Sequence, residues 1–360
     1  MKNDLQSKLQ KVFLDLIKID EIYDQEDQVI KYVQGYLDTL GIPNILDNFR
    51  NVIAFYPGTG EPILLNTHLD IPESVPNLDF TIKGNIIRSN GKSILGADPK
   101  SGLAVLLLLA SHLKNNQVKT RPIEFVFTRG EETGLHGAIN LDYSKIKSKV
   151  GLILDEDGPY TNVVIQAPGY YRIDVEFVGT TVHPRDWYEG ANALAAACKS
   201  IANIKQGEII SGVTCNVGTL SGGTARNSVA GKAKCQIELR SFDNKKLISQ
   251  GRKVENILKS KSLEFKVKAI IDSKLEFESY KLPSDHNLFN KLEQTYQKMH
   301  TKPNYYKTYG GSDANIFNTK KIVAVPIGSG YYLAHQYTEY VNLKDMEELV
   351  KFLTEFTKTA

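Results

Sequence analysis

Short β-rich apolar segments alternate with helical segments along the first half of the chain, and this alternation limits the fold more than any other feature. The strand-like segments are NVIAF, PILLN, IEFVFT and GLILD, and the helical ones include DQVIKYVQGYLDTL and PKSGLAVLLLLASHL. Continuous runs of β-forming apolar residues are typical of parallel strands that are buried on both faces. The pattern returns near the C-terminus with HNLFNKLEQTYQKM, KIVAVPIG and LKDMEELVKFLTEFTK. We therefore predict an α/β fold in which helices flank a mostly parallel sheet.

The middle of the chain has a different order of elements. From about Gly169 onward we expect a strand, a helix, two strands, a long charged helix and a final strand; their sequences are YYRIDVEFVG, NALAAACKSIANI, VTCNVGTL, KAKCQIELRSF, KKLISQGRKVENILKS and EFKVKAIID. This β-α-β-β-α-β order predicts a small ferredoxin-like α+β domain. The predicted organisation is one domain made of residues 1–167 and 273–360, interrupted by an inserted domain at 168–272.

Composition excludes several classes of partner. Lys and Arg number 44 against 41 Asp and Glu, so the net charge of +3 gives no electrostatic reason to expect nucleic acid or an anionic membrane as a partner. The longest apolar stretch, 103–110, is too short to span a membrane, and the first twenty residues lack the apolar core of a signal peptide. The three cysteines, Cys198, Cys215 and Cys235, are too few and too dispersed for a disulfide scaffold. We expect a cytoplasmic protein.

Ionisable residues directly follow several of the predicted strands. Ligands in open α/β sheets bind outside the carboxyl ends of the strands, so these residues are expected to meet at one edge of the sheet. The segments that bring them there are Thr67–Asp70, Arg129–Glu132, Asp155–Gly158, the loop that reaches His335, and Asp98 at the start of the apolar helix.

Histidine and carboxylate groups without a thiolate suit Zn²⁺, Mn²⁺ or Co²⁺. The surplus of carboxylates predicts two metal ions that share a bridging carboxylate. In the pair Glu131-Glu132, one side chain is expected to bind metal while the other accepts a proton. Asp70, two residues after His68, is placed to accept the far imidazole N–H and fix the tautomer that binds metal.

Each of these residues also has a structural explanation when taken alone. Asp98 suits a helix N-cap, and Asp155 and Asp157 beside Gly158 suit a turn. A Glu-Glu pair or a single histidine is commonly found on a solvated surface. The metal hypothesis depends on all of these segments converging.

At these residues the chain resembles the dinuclear zinc exopeptidases that include peptidase T, glutamate carboxypeptidase, aminoacylase and succinyl-diaminopimelate desuccinylase. The motifs that carry the resemblance are HLD at 68–70, GADPKSG at 96–102, EETG at 131–134, DEDG at 155–158 and HQYTE at 335–339. The DEDG form is closest to the peptidase T branch. The resemblance implies that the inserted domain is a lid and dimerisation domain, and that the bond between Asp98 and Pro99 is cis.

The resemblance also implies a role for each site residue. Asp98 would bridge two metal ions, with His68 and Asp157 completing one site and Glu132 and His335 the other. Asp157 is preferred to Asp155 because the family's ligand directly precedes the glycine. Glu131 would be the general base and Asp70 the partner of His68. His183 would be catalytic, because it would polarise the scissile carbonyl of the substrate. The residues that would bind the substrate are Asn227, Arg240, Gly311 and Ser312.

The activity that the resemblance implies is hydrolysis of short peptides by a metal-dependent exopeptidase, a tripeptide aminopeptidase in the peptidase T branch. A hydroxide that bridges two metal ions would attack the amide. The metal would be Zn²⁺, with Co²⁺ or Mn²⁺ as alternatives. The resemblance also implies a homodimer. The alternatives are an N-acyl-amino-acid deacylase or carboxypeptidase of the same family. A catalytically silent metal-dependent binding protein is the alternative outside enzymes.

Overall fold

The computed structural model describes residues 4–359. The helices are α1 (Asp4–Leu16), α2 (Asp27–Thr39), α3 (Ala97–Asn115), α4 (His136–Asn140), α5 (Ala193–Ala202), α6 (Asn244–Leu263), α7 (Asn287–Lys298), α8 (Asp313–Thr319) and α9 (Leu343–Thr357). The strands are β1 (Asn44–Leu46), β2 (Val52–Tyr56), β3 (Ile63–His68), β4 (Phe80–Lys83), β5 (Ile86–Ser89), β6 (Ile123–Thr128), β7 (Val150–Glu156), β8 (Asn162–Ala167), β9 (Gly169–Val178), β10 (Gly207–Ile210), β11 (Val213–Gly222), β12 (Lys232–Ser241), β13 (Lys268–Phe277), β14 (Tyr280–Lys281), β15 (Asn304–Lys307), β16 (Val323–Gly328), β17 (Tyr331–Tyr332) and β18 (Tyr340–Asn342).

The chain forms two compact units. The first contains Met1–Ile165, Leu282–Lys307 and Ser312–Ala360, and the second contains Gln166–Lys281 and Thr308–Gly311. The second unit therefore extends past residue 272, because β13 continues to Phe277 as a full partner of β9. It also includes the short return at 308–311, which the pattern of residues did not predict.

The large sheet of the first unit runs in the order β1-β2-β6-β3-β7-β16-β8. Its central strands β6, β3, β7 and β16 are parallel, as predicted from their apolar runs. The segment NVIAF was expected to be another parallel strand, but β2 pairs antiparallel with β6. Both kinds of strand are buried, so an apolar run does not reveal the direction of pairing. A smaller sheet of order β17-β18-β5-β4 completes this unit.

Helix α3 packs closely against the large sheet. Its leucine-rich sequence is buried along nearly its whole length, from Ala97 to Ala110. At Gly102 an added Cβ would lie 2.5 Å from Thr67 Oγ1 on β3 and 2.7 Å from the Leu154 carbonyl on β7. The glycine therefore permits the close approach that fixes the N-terminus of α3 near the ends of these strands.

The second unit contains an antiparallel sheet in the order β10-β11-β12-β9-β13. Burial alternates along β9, where Ile173, Val175 and Phe177 pack with residues of α5 and α6 in one apolar cluster. The order of elements matches the predicted β-α-β-β-α-β pattern with one addition, the short edge strand β10. Its residues, GEII, are largely exposed and give no regular hydrophobic period.

Candidate metal centre

The polar residues predicted to meet at one edge of the sheet do so within the first unit. His68 is the last residue of β3, Asp155 lies near the end of β7, and Glu131 and Glu132 follow β6 after a turn at Gly130. Because β3, β6 and β7 are parallel, their carboxyl ends lie side by side. The start of α3 and the loop after β17 bring the two remaining groups, Asp98 and His335.

The two carboxylate oxygens of Asp98 face two different imidazoles. Its Oδ1 lies 3.0 Å from His68 Nε2, and its Oδ2 lies 3.5 Å from His335 Nε2. His68 Nε2 is also 3.4 Å from Asp155 Oδ1, and His335 Nε2 is 3.0 Å from Glu132 Oε1. Asp98 thus lies between two groups that each offer one imidazole and one further carboxylate.

The donor atoms are close enough to share a cation. Ligand atoms of His68, Glu131 and Asp155 lie within 4.8 Å of one another, and so do those of His68, Asp98 and Glu132. Carboxylate oxygens and imidazole nitrogens are the donors that Zn²⁺, Mn²⁺ and Co²⁺ accept, so these residues fit a divalent metal.

Asp70 is a buried carboxylate that contacts both His68 and the acidic pair. It is fully buried, and its Oδ1 lies 3.5 Å from His68 Nδ1. The same carboxylate accepts the backbone N–H groups of Glu131 and Glu132 at 2.9 and 3.2 Å. One side chain therefore holds the backbone of the acidic pair and lies beside the ring of His68.

Residues 64–359 match peptidase family M20/M25/M40. This match covers most of the chain and includes every residue of the candidate centre. The chain belongs to this family. As an M20 peptidase it is a metallopeptidase, a hydrolase of peptide bonds, and the resemblance inferred from the motifs is confirmed.

Similar proteins agree with this assignment. The uncharacterized protein YqjE of Bacillus subtilis strain 168 is 27% identical over 357 residues, which cover 96% of this chain and 95% of YqjE. The crystal structure of a tripeptidase from Staphylococcus aureus superposes with a TM-score of 0.87 at 28% identity, covering 98% of both chains. That of the aminopeptidase PepT from Bacillus cereus superposes with a TM-score of 0.81, also at 28% identity and 98% of both chains.

The geometry of this M20 peptidase corrects the choice between two aspartates. Asp157 was preferred as the ligand beside His68, but the structure places Asp155 there. Strand β7 continues to Glu156, so Asp155 is still in the strand, whereas Asp157 lies in the following turn. The Asp157 carboxyl group instead faces the loop before His335: burial raises its pKa, and the nearby backbone N–H groups of Ala334 and Leu333 partly offset that rise.

The loop that carries His335 has an unusual backbone. Leu333 and His335 have positive φ values of 60° and 62°, in the left-handed region that residues other than glycine seldom adopt. Such conformations persist only where surrounding contacts hold them. Asp157 lies beside the N–H groups of this loop, so it is placed to support the loop that carries His335 without itself joining the cluster.

Burial governs the protonation of the acidic pair. Burial raises the pKa of Glu131 well above its usual range, and the nearby Asp155 carboxylate raises it further. Burial also raises the pKa of Glu132, to about 7. Negative charge is therefore costly at this edge of the sheet, and bound divalent cations would offset that cost.

The imidazoles respond to the same charges in the opposite sense. Contact with the carboxylates of Asp98 and Glu132 raises the pKa of His335 to about 11. Burial opposes ionisation of Asp98, but its contacts with His335 and His68 outweigh burial and hold the pKa of Asp98 below its usual range. The raised pKa of His335 and the lowered pKa of Asp98 both favour a charged pair between these two groups, in which Asp98 is buried and His335 is half exposed.

Two buried polar residues, Asp313 and Lys100, were not predicted as site residues. Asp313, at the start of α8, is fully buried and contacts Thr128 Oγ1 at the end of β6, and burial raises its pKa to about 7. Lys100 is buried and donates to the Ile19 carbonyl. The sequence signal for Asp313 was its place after a glycine-rich loop. Lys100 lies inside the GADPKSG motif, but its ammonium group has no lone pair with which to bind a metal ion.

The predicted substrate residues fall mostly in the second unit. His183 is exposed, and its Nδ1 accepts the Arg185 N–H. Arg240 donates to the Tyr309 carbonyl at 3.1 Å and to Glu238 at 3.3 Å. Asn227 is exposed. Roles in substrate binding for His183, Asn227 and Arg240 stay predictions.

Gly311 and Ser312 have local structural roles. An added Cβ at Gly311 would lie 2.4 Å from the Phe277 ring, so glycine is needed for that packing. Ser312 is buried, and its hydroxyl caps α8 by accepting the Ala314 N–H in a capping box with Asn315. Helix capping explains Ser312 without a substrate, and the predicted contact of both residues with substrate stays a prediction.

Two expectations can be compared directly with the backbone and the helices. The peptide bond between Asp98 and Pro99 is cis, as predicted. Within residues 4–359, no helix combines the length and the apolar character needed to cross a membrane.

Proposed function

We propose that this M20 peptidase is an aminopeptidase that removes the N-terminal residue of short peptides, with tripeptides as preferred substrates, and that it uses two divalent metal ions. The observation that carries the two-metal part is the position of Asp98 between two imidazole-carboxylate pairs. The similarity to a solved tripeptidase and a solved PepT aminopeptidase supports the substrate class. Zn²⁺ is the proposed metal, with Co²⁺ and Mn²⁺ as alternatives.

In this proposal His68 and Asp155 would hold one metal, Glu132 and His335 would hold the other, and Asp98 would serve both. When bound, the two cations would supply Lewis acidity and lower the pKa of water. Glu131 is the carboxylate left for proton transfer: it takes a proton from the attacking water and delivers it to the leaving amine. Asp70 keeps His68 and the backbone of Glu131 in place.

The substrate contacts rest on the family resemblance. We propose that His183 donates a hydrogen bond to the scissile carbonyl as negative charge develops on its oxygen. Asn227 and Arg240 would bind the peptide, with the Arg240 guanidinium on a carboxylate. Gly311 and Ser312 would border the bound peptide.

The decisive experiment is hydrolysis of a peptide panel by metal-stripped protein, before and after addition of Zn²⁺, Mn²⁺ or Co²⁺. The panel contains di-, tri- and tetrapeptides with free amino ends and the same peptides with acetylated amino ends. We expect metal-dependent release of the N-terminal residue, fastest from free tripeptides. Activity on blocked substrates alone would instead identify a deacylase, and release of the C-terminal residue a carboxypeptidase. Tight metal and peptide binding without hydrolysis of any member would identify a binding protein.

We also propose a homodimer formed through the second unit. Exposed apolar side chains on this unit support the proposal, among them Trp187, Tyr188, Leu220 and Ile270. Light scattering coupled to gel filtration should give about twice the mass of one chain. A single-chain mass at micromolar concentration would refute the dimer.

The proposed location is the cytoplasm. Cys198, Cys215 and Cys235 are free thiols, which a reducing compartment preserves. Fractionation of cells that express the tagged protein would test this location.

A further inference from the structure

Glu339 is a buried carboxylate to which the proposed reaction assigns no role. It lies four residues after His335 and is 1% exposed. Its Oε2 accepts the backbone N–H groups of Leu95 and Gly96 at 2.7 and 2.8 Å, and its Oε1 accepts the N–H of Asp98 at 3.2 Å. The carboxylate therefore holds the backbone that leads directly into Asp98.

The geometry of this contact comes from the start of α3. The first N–H groups of a helix have no partner within the helix, and the positive end of the helix dipole favours an anion there. Gly96 has a positive φ of 69°, which turns successive N–H groups toward one point. An added Cβ at Gly96 would also lie 3.3 Å from Ile71 Cγ2, so a larger residue would be crowded as well as strained.

Glu339 is itself fixed by its backbone. Its N–H donates to the Gln336 carbonyl at 2.9 Å, and its carbonyl accepts the Ser89 N–H at 3.1 Å. It thus connects the turn after His335 to the start of α3. Through this connection, one short segment carries an imidazole of the centre and also fixes the residue that faces both imidazoles.

We propose that Glu339 is a positioning residue: it sets Asp98 so that its two oxygens face His68 and His335, and it couples that setting to the His335 loop. This inference rests on the proposed role of Asp98 as the ligand shared by two metal ions. A group that orients a ligand from behind typically changes metal affinity by about ten- to a hundredfold when it is removed.

The test compares Glu339→Gln with a matched control, Glu124→Gln. Glu124 is also buried, 4% exposed, and its carboxylate accepts the backbone N–H groups of Lys147 and Ser148. Glu124 lies near the start of β6, at the opposite end of the strand from Glu131 and Glu132, so its substitution should not reach the metal ligands directly. Both substitutions place an amide where a carboxylate accepted N–H groups, so both should lower the melting temperature of the metal-free protein.

The measured quantity is the affinity of metal-free protein for Zn²⁺ in competition with a chromophoric chelator. We expect Glu339→Gln to weaken Zn²⁺ binding about ten- to a hundredfold, and Glu124→Gln to leave it unchanged. Unchanged affinity in Glu339→Gln, or an equal loss in both variants, would overturn the positioning role. If Glu339→Gln does not fold, Glu339→Asp, which keeps the charge but shortens the reach, should show a smaller loss, and wild-type affinity there would overturn the inference.

A third variant separates this inference from the proposed function. Asp98→Asn should abolish binding of the two metal ions that Asp98 is proposed to share. Wild-type affinity in Asp98→Asn would refute the ligand assignment itself. Loss of binding in Asp98→Asn with unchanged binding in Glu339→Gln would refute only the positioning role.

Discussion

Glu131 and Glu132 are adjacent, but their surroundings differ. The Glu132 carboxylate lies 3.0 Å from the His335 imidazole. A Glu131 carboxylate oxygen instead lies within 4.8 Å of ligand atoms of His68 and Asp155. Both carboxyl groups have raised pKa values because both are buried. The separate roles proposed for Glu131 and Glu132 therefore rest on position rather than on intrinsic acidity.

The proposed proton transfer by Glu131 leads to a direct prediction. Glu131→Gln should lower kcat by about 10²–10⁴-fold, because the amide cannot accept the proton from water. Metal content, measured by mass spectrometry of the dialysed protein, should equal that of wild type. Wild-type turnover would show that another group is the base, and loss of metal would make Glu131 a ligand.

The two aspartates of DEDG give a second prediction at the same scale. Asp155→Asn should lose one metal ion and most activity, because its oxygen lies beside His68. Asp157→Asn should retain both metal ions, with a smaller loss of activity through the loop before His335. Metal stoichiometry after dialysis distinguishes them, and the reverse pattern would restore Asp157 as the ligand.

At the residue scale, the sequence predicted which segments meet but not which atoms face each other. Strand ends and motifs predicted that four of the site residues would meet, and the structure brings them together; they are His68, Asp98, Glu132 and His335. The choice of Asp155 depends on where β7 ends, and a motif with two aspartates two residues apart does not specify that.

At the element scale, the contact between α3 and the sheet depends on one small residue. Ala at position 102 would place a methyl group against Thr67 on β3 and the Leu154 carbonyl on β7. Both neighbours belong to the buried sheet and neither is a flexible side-chain end. The helix would have to move, and Asp98 lies on its first turn.

Gly102→Ala should therefore destabilise the protein by about 1–3 kcal/mol through overpacking and should also weaken metal binding. Gly35→Ala is the matched control, since Gly35 lies inside α2 with nothing within 4 Å of an added Cβ. That substitution should raise stability by about 0.4–1 kcal/mol and leave metal affinity unchanged. Urea unfolding measures both effects, and equal behaviour of the two variants would contradict the close packing of α3.

The elements themselves could mostly be predicted because hydrophobic period and length specify them locally. The buried helix α3 and the central strands β3, β6, β7 and β16 were each identified from their own sequences. The antiparallel pairing of β2 and the edge strand β10 could not be, since strand direction and edge pairing depend on residues far away in the chain.

At the scale of the whole molecule, the inserted second unit was expected from the change in element order, and its limits depend on tertiary contacts. Residues 308–311 join that unit although 282–307 and 312–360 belong to the first. A return of four residues has no compositional signal.

Metal and proton compete for the same buried groups, and this competition affects the stability of the whole first unit. In the metal-free protein, burial raises the pKa of Glu132 from 4.5 and that of Asp313 from 3.8, each to about 7. Between the unfolded-state and folded-state pKa values of these two carboxyl groups, the folded protein binds more protons than the unfolded protein. The free energy of unfolding therefore falls as pH rises from the lower pKa to the higher one. The raised pKa of His335, from 6.5 to about 11, acts in the same direction above pH 6.5.

Bound metal should reverse this dependence, because the ligands must be deprotonated to bind it and binding releases protons. Metal-free protein should therefore show a falling melting temperature from pH 5 to 7.5, whereas protein saturated with Zn²⁺ should show a rising or constant one over the same range. A free Zn²⁺ concentration about 100 times the dissociation constant adds about 2.7 kcal/mol per site, enough to make the difference visible by calorimetry. The gap between the two melting temperatures should widen with pH. Asp98→Asn is the control, since it should remove most of the gap at every pH, and a gap in wild type that is constant or narrows with pH would mean that these buried carboxylates do not hold the metal.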